Sequence, residues 1–121
     1  MNTEVVKKRL ERRIVRTRKK IFGDPEKPRL AVHKSLRQIE AQIIDDTKGI
    51  TLVSLSSLSP ELKSILAGKK KTEIANLIGE KLAEIAKAKG IERVVFDRHG
   101  AKYHGRIKAF AEGARKGGLI F

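Results

Sequence analysis

The sequence has no cysteine and no tryptophan, and only 4% of its 121 residues are aromatic. Without cysteine there is no disulfide and no Cys-ligated zinc, which fits an intracellular protein. With so few aromatics, any core must be assembled from Ile, Leu, Val and Ala. No run approaches the roughly 20 apolar residues of a membrane span. Met1 leads through Asn2-Thr3-Glu4 into a charged segment, so a secretory leader is not expected. Acidic residues are also in short supply: 14 Asp and Glu face 28 Lys and Arg, for a formal net charge of +14. A surface this basic repels itself and attracts polyanions, foremost nucleic acid, with anionic membrane as the competing partner.

What is present divides unevenly. Residues 5–21 read VVKKRLERRIVRTRKKI, with cations at Lys7, Lys8, Arg9, Arg12, Arg13, Arg16, Arg18, Lys19 and Lys20. Val6, Leu10 and Ile14 recur every four residues, so a helix here carries one thin apolar stripe between basic flanks. That stripe buries too little area to hold the helix firmly, and like charges oppose it. The expectation is an arm over 1–24, mobile or helical, that orders when the phosphates of a nucleic acid neutralise it. Gly23 to Pro28 then reads as a linker. Residues 25–121 are long enough for one domain with one modest core.

Three strands are expected next. In 29–35, Leu30 and Val32 share one face, and Arg29, Ala31 and His33 the other. In 38–44, Ile39, Ala41 and Ile43 oppose Gln38, Glu40 and Gln42. Leu36-Arg37 is short enough for a hairpin, Asp45 to Gly49 for a second turn, and Ile50 to Ser56 supplies the third strand. Ser59 and Pro60 look able to cap and start a short helix. Gly68 to Lys71 reads as an exposed basic loop. Thr72 to Lys89 is a helix with Ile74, Leu77, Ile78, Leu82 and Ile85 on one stripe, capped by Thr72 and ended by Gly90. Val94 to Phe96 is a short strand reached by a helical crossover, which suits parallel addition. Gly105 to Lys116 forms the last helix, with Ile107, Phe110, Ala111 and Ala114 inward and Gly117-Gly118 stopping it. The expected fold is α/β: an antiparallel three-strand meander plus one parallel strand, helices packed on one face, and a basic N-terminal arm.

Two surfaces are candidates for binding. Arg29, His33, Gln38 and Gln42 on the open sheet face offer hydrogen bonds to sugar, phosphate or base edges, or form an ordinary solvent face. The loop from Asp97 to Arg106 gathers Arg98, His99, Lys102, Tyr103, His104 and Arg106 at a helix N-terminus. Free N–H groups and the helix dipole bind phosphate there, and Tyr103 either stacks on an unpaired base or edges the core. A metal-dependent nuclease using Asp45, Asp46 and Asp97 is the catalytic alternative. Against it, turn carboxylates more often cap the turn, and Asp97 is placed to hold the backbone N–H groups of its loop. His99 and His104 are poorly spaced for a metal. No catalytic residue, metal or cofactor is expected. A general nucleic-acid packaging protein remains open.

The segments KPRLAVHKS, IEAQIIDD and RHGAKYHGRIKAFAEGARKGGLIF, with the long helix before Gly90-Ile91, resemble bacterial members of the large-subunit ribosomal protein family L-eighteen, which binds 5S ribosomal RNA. The resemblance runs nearly end to end, and Tyr103-His104-Gly105-Arg106 is its most specific part. It implies a non-enzymatic α/β protein, monomeric when free, in the cytoplasm on the ribosome. Its partners would be 5S rRNA, 23S rRNA in the central protuberance, and neighbouring large-subunit proteins. It also implies that the arm from Arg9 to Lys20, the strand pair from Arg29 to Gln38 (with Lys34, Ser35 and Arg37), and the Arg98 to Arg106 loop face RNA. The family commonly has aromatic residues where this chain has His33 and Glu40, and Gly where it has His99. Those departures shift the expected sheet-face binding from stacking toward hydrogen bonds and phosphate contacts, with Glu40 a local electrostatic cost.

Overall fold

The alternation of apolar and polar residues sorts the strands into faces as expected. The computed structural model describes residues 7–13 and 21–121. Residues 7–13 are helical (α1). Then follow β1 (Arg29–Lys34), β2 (Ile39–Asp45), β3 (Ile50–Ser56), a 3-10 turn (Pro60–Leu62) continuing into the one-turn helix α2 (Lys63–Leu66), α3 (Lys71–Ala88), β4 (Val95–Asp97) and α4 (Gly105–Lys116). The strand order is β3-β2-β1-β4, with β4 parallel to β1 and the other pairings antiparallel.

Register places the apolar positions side by side, Leu30 opposite Ile43 and Val32 opposite Ala41, then Ala41 opposite Leu55 and Ile43 opposite Val53. All are buried under the helices, and each Leu or Ile withdrawn from water contributes about 1.5–3 kcal/mol. The β1–β2 hairpin closes through Ser35 N–H to Gln38 O at 2.9 Å, which leaves Leu36-Arg37 as its two-residue tip.

Two details of the helices differ from expectation. Helix α3 begins at Lys71, and Lys70, not Thr72, holds the cap position, with no side-chain cap bond. Ser59 holds the cap position and Pro60 the first position as expected, but the Ser59 Oγ makes no cap bond and accepts from Ser56 N–H at 3.1 Å, back toward the strand.

The third difference concerns packing. Ile78 and Leu82 are buried, but Ile85 is 37% exposed, and Ala75, Gly79, Ala83 and Ala86 complete the buried side of α3. The cause is the close approach of α4. A Cβ on Gly79 would lie 2.3 Å from Phe110 O, and one on Gly113 2.1 Å from Asn76 O. Only glycine admits backbones this near, and Asn76 Nδ2 then reaches Ala109 O at 3.2 Å. Ile107, Phe110, Ala111 and Ala114 face inward from α4 as expected. After α4 the chain returns beside β4, where Val94 N–H donates to Ile120 O at 3.1 Å.

Candidate nucleic-acid interface

The cations of the arm are partly visible. Lys7, Lys8, Arg9, Arg12 and Arg13 lie on α1 and are exposed; Arg16, Arg18, Lys19 and Lys20 fall outside the described residues. Leu10 of α1 lines a concavity of about 210 Å³ with Val32, His33 and Lys34 of β1 and Arg98, His99 and Ala101 of the loop after β4. Leu10, the one stripe residue among those described, thus has a seat, and it brings α1 to the end of β1 and to the loop.

The open sheet face carries Arg29, Ala31 and His33 of β1 opposite Ile44, Gln42 and Glu40 of β2. Arg29 is not available to a ligand there, contrary to expectation. It is 5% exposed, its Nε donates to Asp46 Oδ2 at 2.9 Å, and its Nη1 to Asp97 Oδ2 at 2.8 Å. The preceding segment is clipped to the same node, since Gly23 N–H donates to Asp46 Oδ2 at 2.8 Å. Burial by itself would lower the Arg29 pKa, but the hydrogen bonds and charges of Asp46 and Asp97 outweigh it. The guanidinium is held further above its ordinary value. Gln38, half-buried at the base of the hairpin, has its Oε1 on Ser57 Oγ at 2.5 Å, while Gln42 stays half-buried on the open face. Lys34, Ser35 and Arg37 are exposed around the hairpin tip.

The loop after β4 is built on the node. Asp97 Oδ1 accepts His99 N–H at 2.9 Å, the loop-orienting role expected of it, and His99 takes the left-handed conformation with φ 54°. Its ring lies 4.8 Å from that of His33. Arg98, Lys102 and His104 are exposed. Arg106 instead turns inward, its Nη2 donating to Ser35 O at 2.6 Å, so that it fastens α4 to the hairpin. Tyr103 edges the core while remaining 38% exposed. Its ring meets Phe96 edge-on at 6.4 Å, and its hydroxyl accepts from Arg115 Nη1 at 3.2 Å. Phe121 stacks on Phe96 at 5.1 Å, with Arg115 lying 4.5 Å over its ring. Sequence reasoning missed this cluster; the only signal for it was an aromatic at the end of the chain.

Comparison with known proteins decides the family. Residues 5–121 match the family described as "Ribosomal L18 of archaea, bacteria, mitoch. and chloroplast". Similar proteins include the large ribosomal subunit protein uL18 of Dictyoglomus turgidum, 62% identical over 109 residues, which cover 90% of this chain and 89% of the relative. That of Caldicellulosiruptor saccharolyticus is 58% identical over 93% of this chain and 94% of its own. That of Desulforudis audaxviator is 54% identical over 100% and 99%. The chain belongs to the ribosomal L18 family. Its members are structural constituents of the large ribosomal subunit rather than enzymes.

Family membership and geometry together weigh against the nuclease alternative. The carboxylates of Asp46 and Asp97 are joined by the Arg29 guanidinium. Asp45 accepts from both the N–H and the hydroxyl of Thr47, at 3.0 and 2.5 Å. Among the described residues no three His, Asp or Glu side chains group as metal ligands, and no helix is long and apolar enough to cross a membrane.

Proposed function

We propose that this ribosomal L18 protein binds 5S rRNA and helps attach it to 23S rRNA in the central protuberance, beside neighbouring large-subunit proteins, and that it is a cytoplasmic monomer when free. One observation carries the reading: three separate stretches of chain meet around one concavity, through Leu10 of the cation-rich α1, exposed Lys34 at the end of β1, and exposed Arg98 in the loop after β4. Arg37 at the hairpin tip and Lys102 and His104 in the loop extend the same surface. Tyr103, in the same loop, keeps a partly exposed ring, available to an unpaired base.

Binding on this surface proceeds by phosphate neutralisation with release of counterions, so affinity falls steeply with salt. If about six to ten phosphates are neutralised, the fall is on the order of 10³ to 10⁵ between 50 and 200 mM salt on the duplex-DNA scale. Selectivity comes from RNA shape and unpaired bases, because the deep A-form groove is closed to side chains. The 1–24 arm adds affinity, and the 25–121 domain keeps its fold without it. A chain truncated before Phe22 retains Gly23 and its bond to Asp46, so thermal unfolding should change little while RNA affinity drops.

The deciding measurement is binding to 5S rRNA against an unrelated structured RNA of equal length, at about 150 mM salt with magnesium. A preference of tenfold or more, about 1.4 kcal/mol, supports a specific 5S rRNA carrier. Equal binding would leave charge as the whole explanation and favour the packaging alternative.

A further inference from the structure

The open sheet face carries one group that phosphate binding does not explain. Glu40 is exposed near the hairpin end of the face, opposite His33, and no salt bridge among the described residues reaches it. On a chain of net charge +14 whose partner is a polyanion, an unpaired carboxylate there is repelled by every approaching phosphate. It becomes favourable only where the ligand presents hydrogen-bond donors to it.

The surroundings supply the rest of a base site. Ala31, the small residue between Arg29 and His33 on β1, leaves a concavity of about 180 Å³ lined also by His99, Glu40, Gln42 and Ile44. The His33 and His99 rings stand together at one side, with centroids 4.8 Å apart. The Arg29 charge at the back is already taken up by Asp46 and Asp97. It therefore does not cancel Glu40. The pocket has one open carboxylate, two imidazole faces and one amide, which suits the edge and face of a planar base better than a phosphate.

We propose that this concavity takes an unpaired guanine of the bound RNA. A carboxylate has two acceptor oxygens and no donor. Guanine alone among the four bases presents two N–H donors side by side on its Watson–Crick edge, at N1 and N2. Cytosine and adenine each offer one amino group beside an acceptor, and uracil one imino group between two acceptors. Glu40 accepts from N1–H and N2–H, the imidazole of His33 stacks on the ring while that of His99, tilted 57° to it, meets the ring edge-on, and Gln42 offers its amide at the base edge. The inference rests on the RNA-binding reading above and assigns its base specificity.

The sign of one substitution tests it. Glu40→Gln and Glu40→Ala each remove a negative charge, so electrostatics alone demands that 5S rRNA bind equally or more tightly. Guanine recognition demands the opposite: a loss of about tenfold, or 1.4 kcal/mol, within the range of about 1–3 kcal/mol for a bidentate base contact. The thermal unfolding midpoint should stay that of the parent, because this position is exposed. Unchanged or tighter binding by both variants overturns the inference while leaving 5S rRNA preference in the parent chain intact. Absence of that preference in the parent overturns both readings together. Titration of the full chain with millimolar GMP, AMP, CMP or UMP, followed by amide NMR, gives a second reading. Shifts at residues 33, 40 and 99 should favour GMP and disappear in Glu40→Gln. Equal shifts with all four nucleotides, or none with any of them, overturn the base assignment.

Discussion

The buried node around Arg29 and the exposed loop from Arg98 to His104 meet at a single peptide bond, and they use charge in opposite ways. Asp97 is 1% exposed and spends one oxygen on Arg29 and the other on His99 N–H. Arg98, the next residue, is exposed. Within the node, two carboxylates surround one guanidinium at hydrogen-bonding distance, with Arg29 and Asp97 almost wholly buried. Across the loop, Arg98 and Lys102 leave their cations exposed at the surface. The comparison teaches that an arginine's role is set by what the fold places within 3 Å of it, not by its place in a sequence pattern. It also shows dependence, because the inward carboxylate holds the backbone that presents the outward cations.

Removing the guanidinium should break this arrangement most severely. Arg29→Ala leaves Asp97 buried without its cation and Asp46 without its bidentate partner. Loss of one member of a buried ion pair costs about 3–5 kcal/mol, a large share of the roughly 5–15 kcal/mol that holds a small domain. A thermal melt should shift downward by about 15 °C or more. A shift below about 5 °C would mean that the node contributes little and that Arg29 is free for another use.

Asp97→Asn should act more mildly on stability and more directly on the loop. The amide keeps an acceptor for His99 N–H but loses the charged hydrogen bond to Arg29, worth about 1.5–3 kcal/mol. Unfolding should fall by roughly half the Arg29→Ala shift. Amide exchange at residues 98–101 should rise along with it, because the same side chain serves both. Faster exchange without loss of stability would separate the two roles.

How much of this was legible in the sequence follows from range. The sheet faces were readable because alternation is local: Leu30, Val32, Ile39, Ala41 and Ile43 declare their side within a few residues. The parallel placement of β4 followed from a long crossover, and the last helix from its periodic residues and its glycine stop. The partners of Arg29 were not readable, since Asp46 and Asp97 lie 17 and 68 residues away and period two gives a face, not a neighbour. Arg106 is the same case: its carbonyl acceptor on Ser35 is 71 residues distant. The α3–α4 seam escaped because Gly79 and Gly113 carry no hydropathy signal. Their role appears only when two backbones approach. Of the candidate site, the charges of α1 were legible, but the seat of Leu10 against β1 and the loop was not.

Substituting the outward cations should leave the fold alone. Arg98→Ala with Lys102→Ala leaves Arg29, Asp46 and Asp97 joined as they are, so thermal unfolding should move by less than about 0.5 kcal/mol. Affinity for 5S rRNA should fall about tenfold at 150 mM salt, or about 1.4 kcal/mol. The slope of log affinity against log salt should lessen by about two, one for each phosphate that is no longer neutralised. A weakened affinity with an unchanged slope would show that these residues act by shape and not by charge. A collapsed fold would return the loop to a structural role.

The smallest effect should come from His99→Gly, which sits on the boundary between the two regions. A non-glycine residue at φ 54° bears about 1–2 kcal/mol of strain, and glycine relieves it. Glycine also loses about 0.5–1 kcal/mol more backbone entropy on folding, and the ring contact with His33 disappears with the side chain. These contributions nearly cancel, so stability should change by no more than about 0.5 kcal/mol either way. The Asp97 bond to the backbone N–H survives the substitution, so the loop keeps its shape even without the side chain. A loss above about 1 kcal/mol would show that the His33–His99 contact supports the fold. The boundary between structural and binding charge would then lie beyond His99, two residues further into the loop than the Asp97–Arg98 bond.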